Sequence, residues 1–176
     1  MDNRINIEKS DGKLAVVIKA FYDENKQKML LAWILMFSLC GLAIVSQFFE
    51  EYDSGTKVFF GVYVAFWLFF EFKVISAYRW RKYGEEKIII EKKRITLIKS
   101  IGKRGVPQHY NLNEIKKIDF FNNDGGGFIK SMNSSYWNIN KYHLALHLEK
   151  SVVPFAIDIV NKDAKHILNE LRKFRK

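Results

Sequence analysis

Hydrophobic residues follow two different patterns along this chain. Residues 29–49 and residues 58–78 form two apolar runs of 21 residues each. A helix rises 1.5 Å per residue, so each run can extend about 30 Å, the thickness of the hydrocarbon core of a bilayer. We therefore predict two transmembrane helices over these runs, joined by a short acidic turn over residues 50–57.

Charged residues beside the two runs predict their orientation. Lys26 and Lys28 precede the first run, and Arg79, Arg81 and Lys82 follow the second. The turn between the runs carries three acidic residues and one lysine. Because basic flanks stay on the cytoplasmic side, we expect a multi-pass protein with both termini in the cytoplasm and the acidic turn outside.

The second run contains residues that are unusual in a membrane span. Glu71 is an intramembrane carboxylate and hence a candidate functional residue, although it lies near the end of the run, where it and Lys73 can extend toward the interface. Gly61 and Ala65 form a pair of small residues four positions apart. Such pairs allow close helix packing, either with the first helix or with another membrane subunit, and the sequence leaves both possibilities open.

Outside the runs, apolar and polar residues alternate with the period of a β-strand. In the N-terminal segment, residues 1–28, we predict a β-hairpin over residues 4–19 that turns at Asp11-Gly12. An isolated hairpin is barely stable in water, so we expect it to pair with the C-terminal domain.

Residues 84–176 form that C-terminal domain. The alternation predicts strands over residues 87–91, 94–99, 110–121, 142–149 and 152–160, with a loop over residues 102–105. Apolar residues at helical spacing then predict a closing helix over residues 161–174. The predicted fold class is therefore α+β, a two-helix transmembrane hairpin attached to an antiparallel β-domain.

This order of strands and closing helix resembles the bacterial pleckstrin-homology-like (PH-like) domain family, whose members often follow a transmembrane hairpin. The resemblance is carried by residues 87–99, 106–120 and 142–160 and by the final helix. It implies a cytoplasmic antiparallel β-barrel capped by the C-terminal helix, in a protein of the bacterial inner membrane. It also implies a binding or scaffolding module and supplies no catalytic residues.

Positive charge is concentrated in the C-terminal part. The chain has a net charge of +10, and residues 79–176 contain 21 Lys and Arg against 10 Asp and Glu. Beside a membrane, such an excess favours anionic lipid and makes nucleic acid an unexpected partner. The candidate lipid or partner contacts are the clustered cations and two aromatic residues of a polar loop, namely Lys92, Lys93, Arg94, Lys103, Arg104, Tyr136 and Trp137.

Patterns typical of catalytic or cofactor sites are missing from the sequence. Strand alternation places His143 and His147 on the outer face, without a third metal ligand nearby in sequence. The glycines at 125–127 do not match a phosphate-binding loop and indicate a flexible connection. We therefore expect no enzymatic activity, no cofactor and no bound metal.

Three functional hypotheses remain. The first is a non-enzymatic scaffold that serves as an accessory or assembly subunit of an inner-membrane complex, through other membrane subunits or self-association. The second is a sensor or binder of anionic lipid headgroups. The third, less favoured, is a small transporter or proton-coupled subunit that uses Glu71.

Overall fold

The computed structural model describes residues 2–121 and 135–175. The chain divides into two compact units. One is a helical hairpin, Tyr22–Arg79, and the other is a domain formed by Met1–Phe21 together with Trp80–Lys176. Residues 1–21 of the N-terminal segment are therefore part of the domain, and residues 22–28 are part of the helical hairpin.

The helical hairpin contains α1 (Glu24–Ser46), a short 3-10 turn (Gln47–Phe49) and most of α2 (Ser54–Tyr83). Both helices are long and apolar enough to cross a membrane. Each begins at an aspartate, because Asp23 accepts a hydrogen bond from the Lys26 N–H and Asp53 from the Thr56 N–H, at 3.0 Å in each case. The polar connection is thereby shortened to residues 50–53.

The two helices face each other along positions that recur at alternating intervals of three and four residues, the spacing of a left-handed helix pair. The α1 positions are Gln27, Leu30, Ile34, Phe37, Gly41 and Ile44, and the α2 positions are Phe60, Val64, Trp67, Glu71, Val74 and Tyr78. The closest approach is at Gly41, where an added Cβ atom would lie 1.9 Å from Cε2 of Trp67. The Trp67 indole N–H donates to the Phe37 carbonyl at 3.0 Å.

The first sheet of the domain is antiparallel, with strand order β1-β2-β3-β4-β5. Its strands are β1 (Ile5–Ser10), β2 (Lys13–Lys19), β3 (Gly84–Glu91), β4 (Arg94–Ile101) and β5 (Arg104–Asn111). The predicted N-terminal hairpin is present as β1 and β2, and its turn uses Gly12 at φ +75. Strand β2 then pairs with β3 over seven positions, so the hairpin is part of the domain's sheet.

The second sheet follows a 3-10 turn (Leu112–Glu114) and has the order β6-β7-β8. Its strands are β6 (Ile115–Phe120), β7 (Tyr142–Leu148) and β8 (Val152–Ile157), and helix α3 (Asn161–Arg175) completes the domain. One hydrophobic core joins both sheets and α3, and it includes Leu14, Val16, Ile88, Ile90, Ile95, Ile118, Leu144, Leu146, Phe155, Ile167 and Leu171. Each such side chain stabilises the fold by about 1.5–3 kcal/mol.

The α+β class is confirmed, with two apolar helices, antiparallel strands and a C-terminal helix. The described strands form two sheets and do not close a barrel by hydrogen bonds. One strand prediction was wrong, since the strand expected over residues 110–121 is divided between β5 and β6. The expected loop over residues 102–105 is shorter, because β5 begins at Arg104 and only Gly102 and Lys103 remain in the turn. The glycines at 125–127 lie outside the described residues.

Gly41 provides a test of the helix packing. Gly41→Ala should lower the free energy of unfolding of the hairpin by about 2 kcal/mol, because the new methyl group collides with the Trp67 ring. Gly61→Ala is the matched control, since a Cβ atom there meets nothing within 4 Å. SDS-titrated unfolding in mixed micelles, followed by circular dichroism, compares the variants. Equal stability of the two would contradict the packing of Trp67 on Gly41.

Candidate functional site

The turn between β3 and β4 consists of Lys92 and Lys93. Lys92 has φ 54, in the left-handed region. Two-residue hairpin turns need this conformation, and Asn or Gly normally supplies it. A lysine there costs roughly 1–2 kcal/mol of backbone strain. Both lysines are exposed at the tip of the β3-β4 hairpin, where their ammonium groups are accessible to a ligand.

An open pocket of about 500 Å³ lies beside this turn, on the sheet face that points away from the core. Its lining consists of Ile89, Glu91, Lys92, Lys93, Arg94, Thr96, His109 and Asn111. We call these eight residues the basic pocket. It brings together three of the predicted contacts, Lys92, Lys93 and Arg94, and adds side chains of β4 and β5 that sequence reasoning missed.

The basic pocket has the chemistry of an anion site. Lys92, Lys93 and Arg94 form no ion pair among the described residues, although Glu91 lines the same pocket and Glu114 accepts a hydrogen bond from the Asn111 amide at 2.8 Å. The Thr96 hydroxyl and His109 Nδ1 lie 2.9 Å apart on its floor. Ammonium, guanidinium, hydroxyl and amide groups in one cavity suit a phosphate or carboxylate.

The other two predicted cations are not part of this pocket. Lys103 lies in the turn after β4, where Gly102 has φ +62, and Arg104 begins β5. Strand β4 separates this turn from Arg94, and eight residues of strand extend about 25 Å. The five basic residues therefore form two clusters at opposite ends of the first sheet.

Of the two aromatic residues, only Trp137 remains a candidate contact surface, with 38% of its surface exposed. Tyr136 is half-buried, and its ring lies 4.6 Å below the Arg81 guanidinium. Arg81 is fully buried and forms an ion pair with Asp158. It also donates to the Tyr136 carbonyl at 2.9 Å and the Asn138 carbonyl at 3.2 Å. Tyr136 thus helps to enclose a structural cation.

In the helical hairpin, Gly61 and Ala65 lie on the exposed side of α2 and do not face α1. Glu71 faces α1 and is only 7% exposed. The Ser38 hydroxyl donates to Glu71 Oε1 at 2.6 Å, and Oε2 is buried without a hydrogen-bond partner among the described residues. Glu71 therefore points toward Ser38 of α1, and its expected extension toward the interface beside Lys73 stays a prediction.

A buried carboxylate that sequence reasoning missed joins the two sheets. Glu86 of β3 accepts a hydrogen bond from the Ile157 N–H of β8 at 2.9 Å. Burial raises the pKa of Glu86 to about 7, although the Ile157 hydrogen bond and the charge of Lys99 oppose this rise. Lys99 of β4 is the cross-strand partner of Glu86 on β3, and its ammonium is 4.7 Å above the Trp80 ring. Burial lowers the pKa of Lys99.

Among the described residues, no group of three or more His, Cys, Asp or Glu side chains could hold a metal ion. His143 and His147 are half-buried, and Ala145 between them is fully buried, so this face of β7 is not the open surface that the alternation predicted. His143 Nδ1 is buried and has no hydrogen-bond partner within the residues that the structure describes.

No protein-family model matches this chain, and no curated protein matches its sequence.

Glu86 should make the stability of the protein depend on pH. Its pKa is about 7 in the folded state and 4.5 as an ordinary value, so the folded state retains a proton that the unfolded state releases between these values. The free energy of unfolding should therefore fall by about 3 kcal/mol as pH rises through this window, and level off above it.

Glu86→Gln keeps an acceptor for the Ile157 N–H and cannot ionise, so it should remove this dependence. Denaturant unfolding of the full chain in detergent micelles, from about pH 5 to about pH 8, measures the effect. Glu85→Gln is the control, because Glu85 is more exposed and pairs with Lys87. A Glu86→Gln protein with the wild-type pH slope would show that another group titrates.

Proposed function

We propose that this chain is a non-enzymatic, membrane-anchored binding module whose basic pocket binds a phosphate-bearing anion such as a lipid headgroup. The observation that carries the proposal is the coincidence of three cations, which form no ion pair within residues 2–121 and 135–175, with an open cavity at a strained turn. Strain at a lysine is tolerated where the display of its charge serves a function.

Anchoring by α1 and α2 is the second part of the proposal. Support comes from their length and composition, and from the many large apolar side chains that they expose, including Phe59, Phe66 and Phe72. In water such a surface would favour aggregation, whereas in lipid it is the normal exterior of a helix pair. The basic flanks favour both termini in the cytoplasm of a bacterial cell, with the domain at the inner membrane.

A PH-like arrangement of the domain belongs to the same proposal. Support comes from the order of the elements, since strands β2 to β5 precede strands β6 to β8 and α3 ends the chain. A single core also links both sheets to α3. Under this proposal, the helical hairpin is an insertion in the sequence between strands β2 and β3 of the domain.

A second candidate function is an accessory subunit of a membrane complex. One observation favours it: Gly61 and Ala65 lie on the exposed side of α2, so close packing there requires a helix from another chain. Co-purification in mild detergent, followed by mass spectrometry, compares wild-type protein with a Gly61→Leu variant. A partner that is lost only from Gly61→Leu supports this function, and a protein that remains alone in both cases contradicts it.

The basic pocket is tested with the full chain in phosphatidylcholine nanodiscs, to which vesicles containing phosphatidylglycerol are added. Each lysine near an anionic surface contributes about 1 kcal/mol. Lys92→Glu combined with Lys93→Glu should therefore weaken vesicle binding about thirtyfold or more. Inorganic pyrophosphate as a competitor separates recognition of phosphate from recognition of a lipid surface.

Lys162→Glu combined with Lys165→Glu is the matched control, since it changes the net charge equally at exposed positions of α3. Binding by this control should stay close to wild type. Equal losses in the two double variants would show that total charge, and not the basic pocket, determines binding.

A further inference from the structure

The end of the first sheet opposite to the basic pocket carries a second set of exposed cations. Here the chain leaves β2 toward α1 and enters β3 from α2. Lys19, Lys103 and Arg104 lie at this end and are exposed, and we call them the proximal rim. The carboxylate Glu85 lies across from Lys19 and is also paired with Lys87 at 2.8 Å, so one carboxylate faces several cations at this end.

Hydrogen bonds within the domain hold the proximal rim close to the end of α2. The Gly102 N–H donates to the Tyr83 carbonyl at 2.8 Å, and the Ala20 N–H donates to the Gly84 carbonyl at 2.9 Å. Lys103 and Lys19 are therefore each one residue from a backbone group bonded to the segment that ends α2.

The distance from this segment to a bilayer is set by α2 itself. The apolar part of α2 ends at Tyr78, and five further residues of helix extend about 7.5 Å to Tyr83. The headgroup layer adds about 5–8 Å to each side of the hydrocarbon core. A lysine beside Tyr83 is thus within a Debye length of lipid phosphates, about 8 Å at physiological ionic strength.

We infer that the proximal rim contacts the anionic headgroups of the same bilayer that holds α1 and α2, and that it orients the domain on that surface. This inference rests on the proposed membrane anchoring. It also deepens the proposed function. With the rim in the headgroup layer, the basic pocket lies about 25 Å from the rim along β4, so the two clusters contact different anions.

Three bimane probes test the inference in full-length protein in nanodiscs that contain phosphatidylglycerol. Two are attached in a Cys40→Ala background, at Val106→Cys beside the rim and at Asn113→Cys near the basic pocket, since both positions are exposed. The third uses the native Cys40, which is exposed on α1. Lipids with a headgroup nitroxide quench probes at the surface, and lipids with an acyl-chain nitroxide quench probes in the hydrocarbon core.

The Val106 probe should be quenched by headgroup nitroxide at least about twice as strongly as the Asn113 probe. Lys103→Glu combined with Arg104→Glu, or nanodiscs of phosphatidylcholine alone, should abolish this difference. Lys162→Glu combined with Lys165→Glu should preserve it. The inference would be overturned if quenching at Val106 were the same in the Lys103→Glu, Arg104→Glu variant and in phosphatidylcholine nanodiscs as in wild type with phosphatidylglycerol. Equal quenching at Val106 and Asn113 would also overturn it.

The Cys40 probe separates this inference from the proposal on which it rests. Quenching of Cys40 by acyl-chain nitroxide supports the membrane span whatever the other probes show. If Cys40 is quenched and Val106 behaves like Asn113, the rim contact alone is wrong. If Cys40 is not quenched, the anchoring itself is wrong and the rim inference is lost with it.

Discussion

The domain depends on one buried cation, Arg81. Removing a guanidinium from water costs several kcal/mol unless its donors are satisfied. Here Asp158 supplies the countercharge, and the carbonyls of Phe21, Tyr136 and Asn138 accept its remaining hydrogen bonds. These groups come from three distant parts of the sequence, before α1, before β7 and after β8. A single side chain of α2 therefore fixes the positions of three segments of the domain.

Glu86 complements Arg81 at the end of β8. Arg81 binds Asp158 and Glu86 accepts a hydrogen bond from the N–H of Ile157, so two buried ionisable side chains act on neighbouring residues. The backbone at the end of β8 is strained, because Ala156 has φ 62 and Asp158 has φ 53. Two non-glycine residues in the left-handed region cost about 1–2 kcal/mol each. The ionic and hydrogen-bonded contacts at Asp158 and Ile157 offset that strain and keep the second sheet joined to the first.

Sequence patterns correctly predicted the helices and strands that bury an apolar face. They did not predict an exposed strand or the charged residues that are buried. The apolar runs and the alternation of β3, β4 and β7 identify helices and strands because burial of apolar area determines them. Strand β5 was missed because most of it is exposed at the sheet edge and it contains Pro107, so no alternation marks it. Arg81 and Glu86 were missed as buried groups because charged residues are normally on the surface.

The candidate site shows why a charge count along the sequence is a weak guide to binding. Lys92, Lys93, Arg94, Lys103 and Arg104 fall within 13 consecutive residues and look like one basic patch. The two clusters are nevertheless far apart in space, because they lie in the turns before and after β4, at opposite ends of an eight-residue strand. A field that decays over about 8 Å cannot combine charges about 25 Å apart. A small anion beside one cluster is therefore outside the electrostatic field of the other, because the length of strand β4 lies between them.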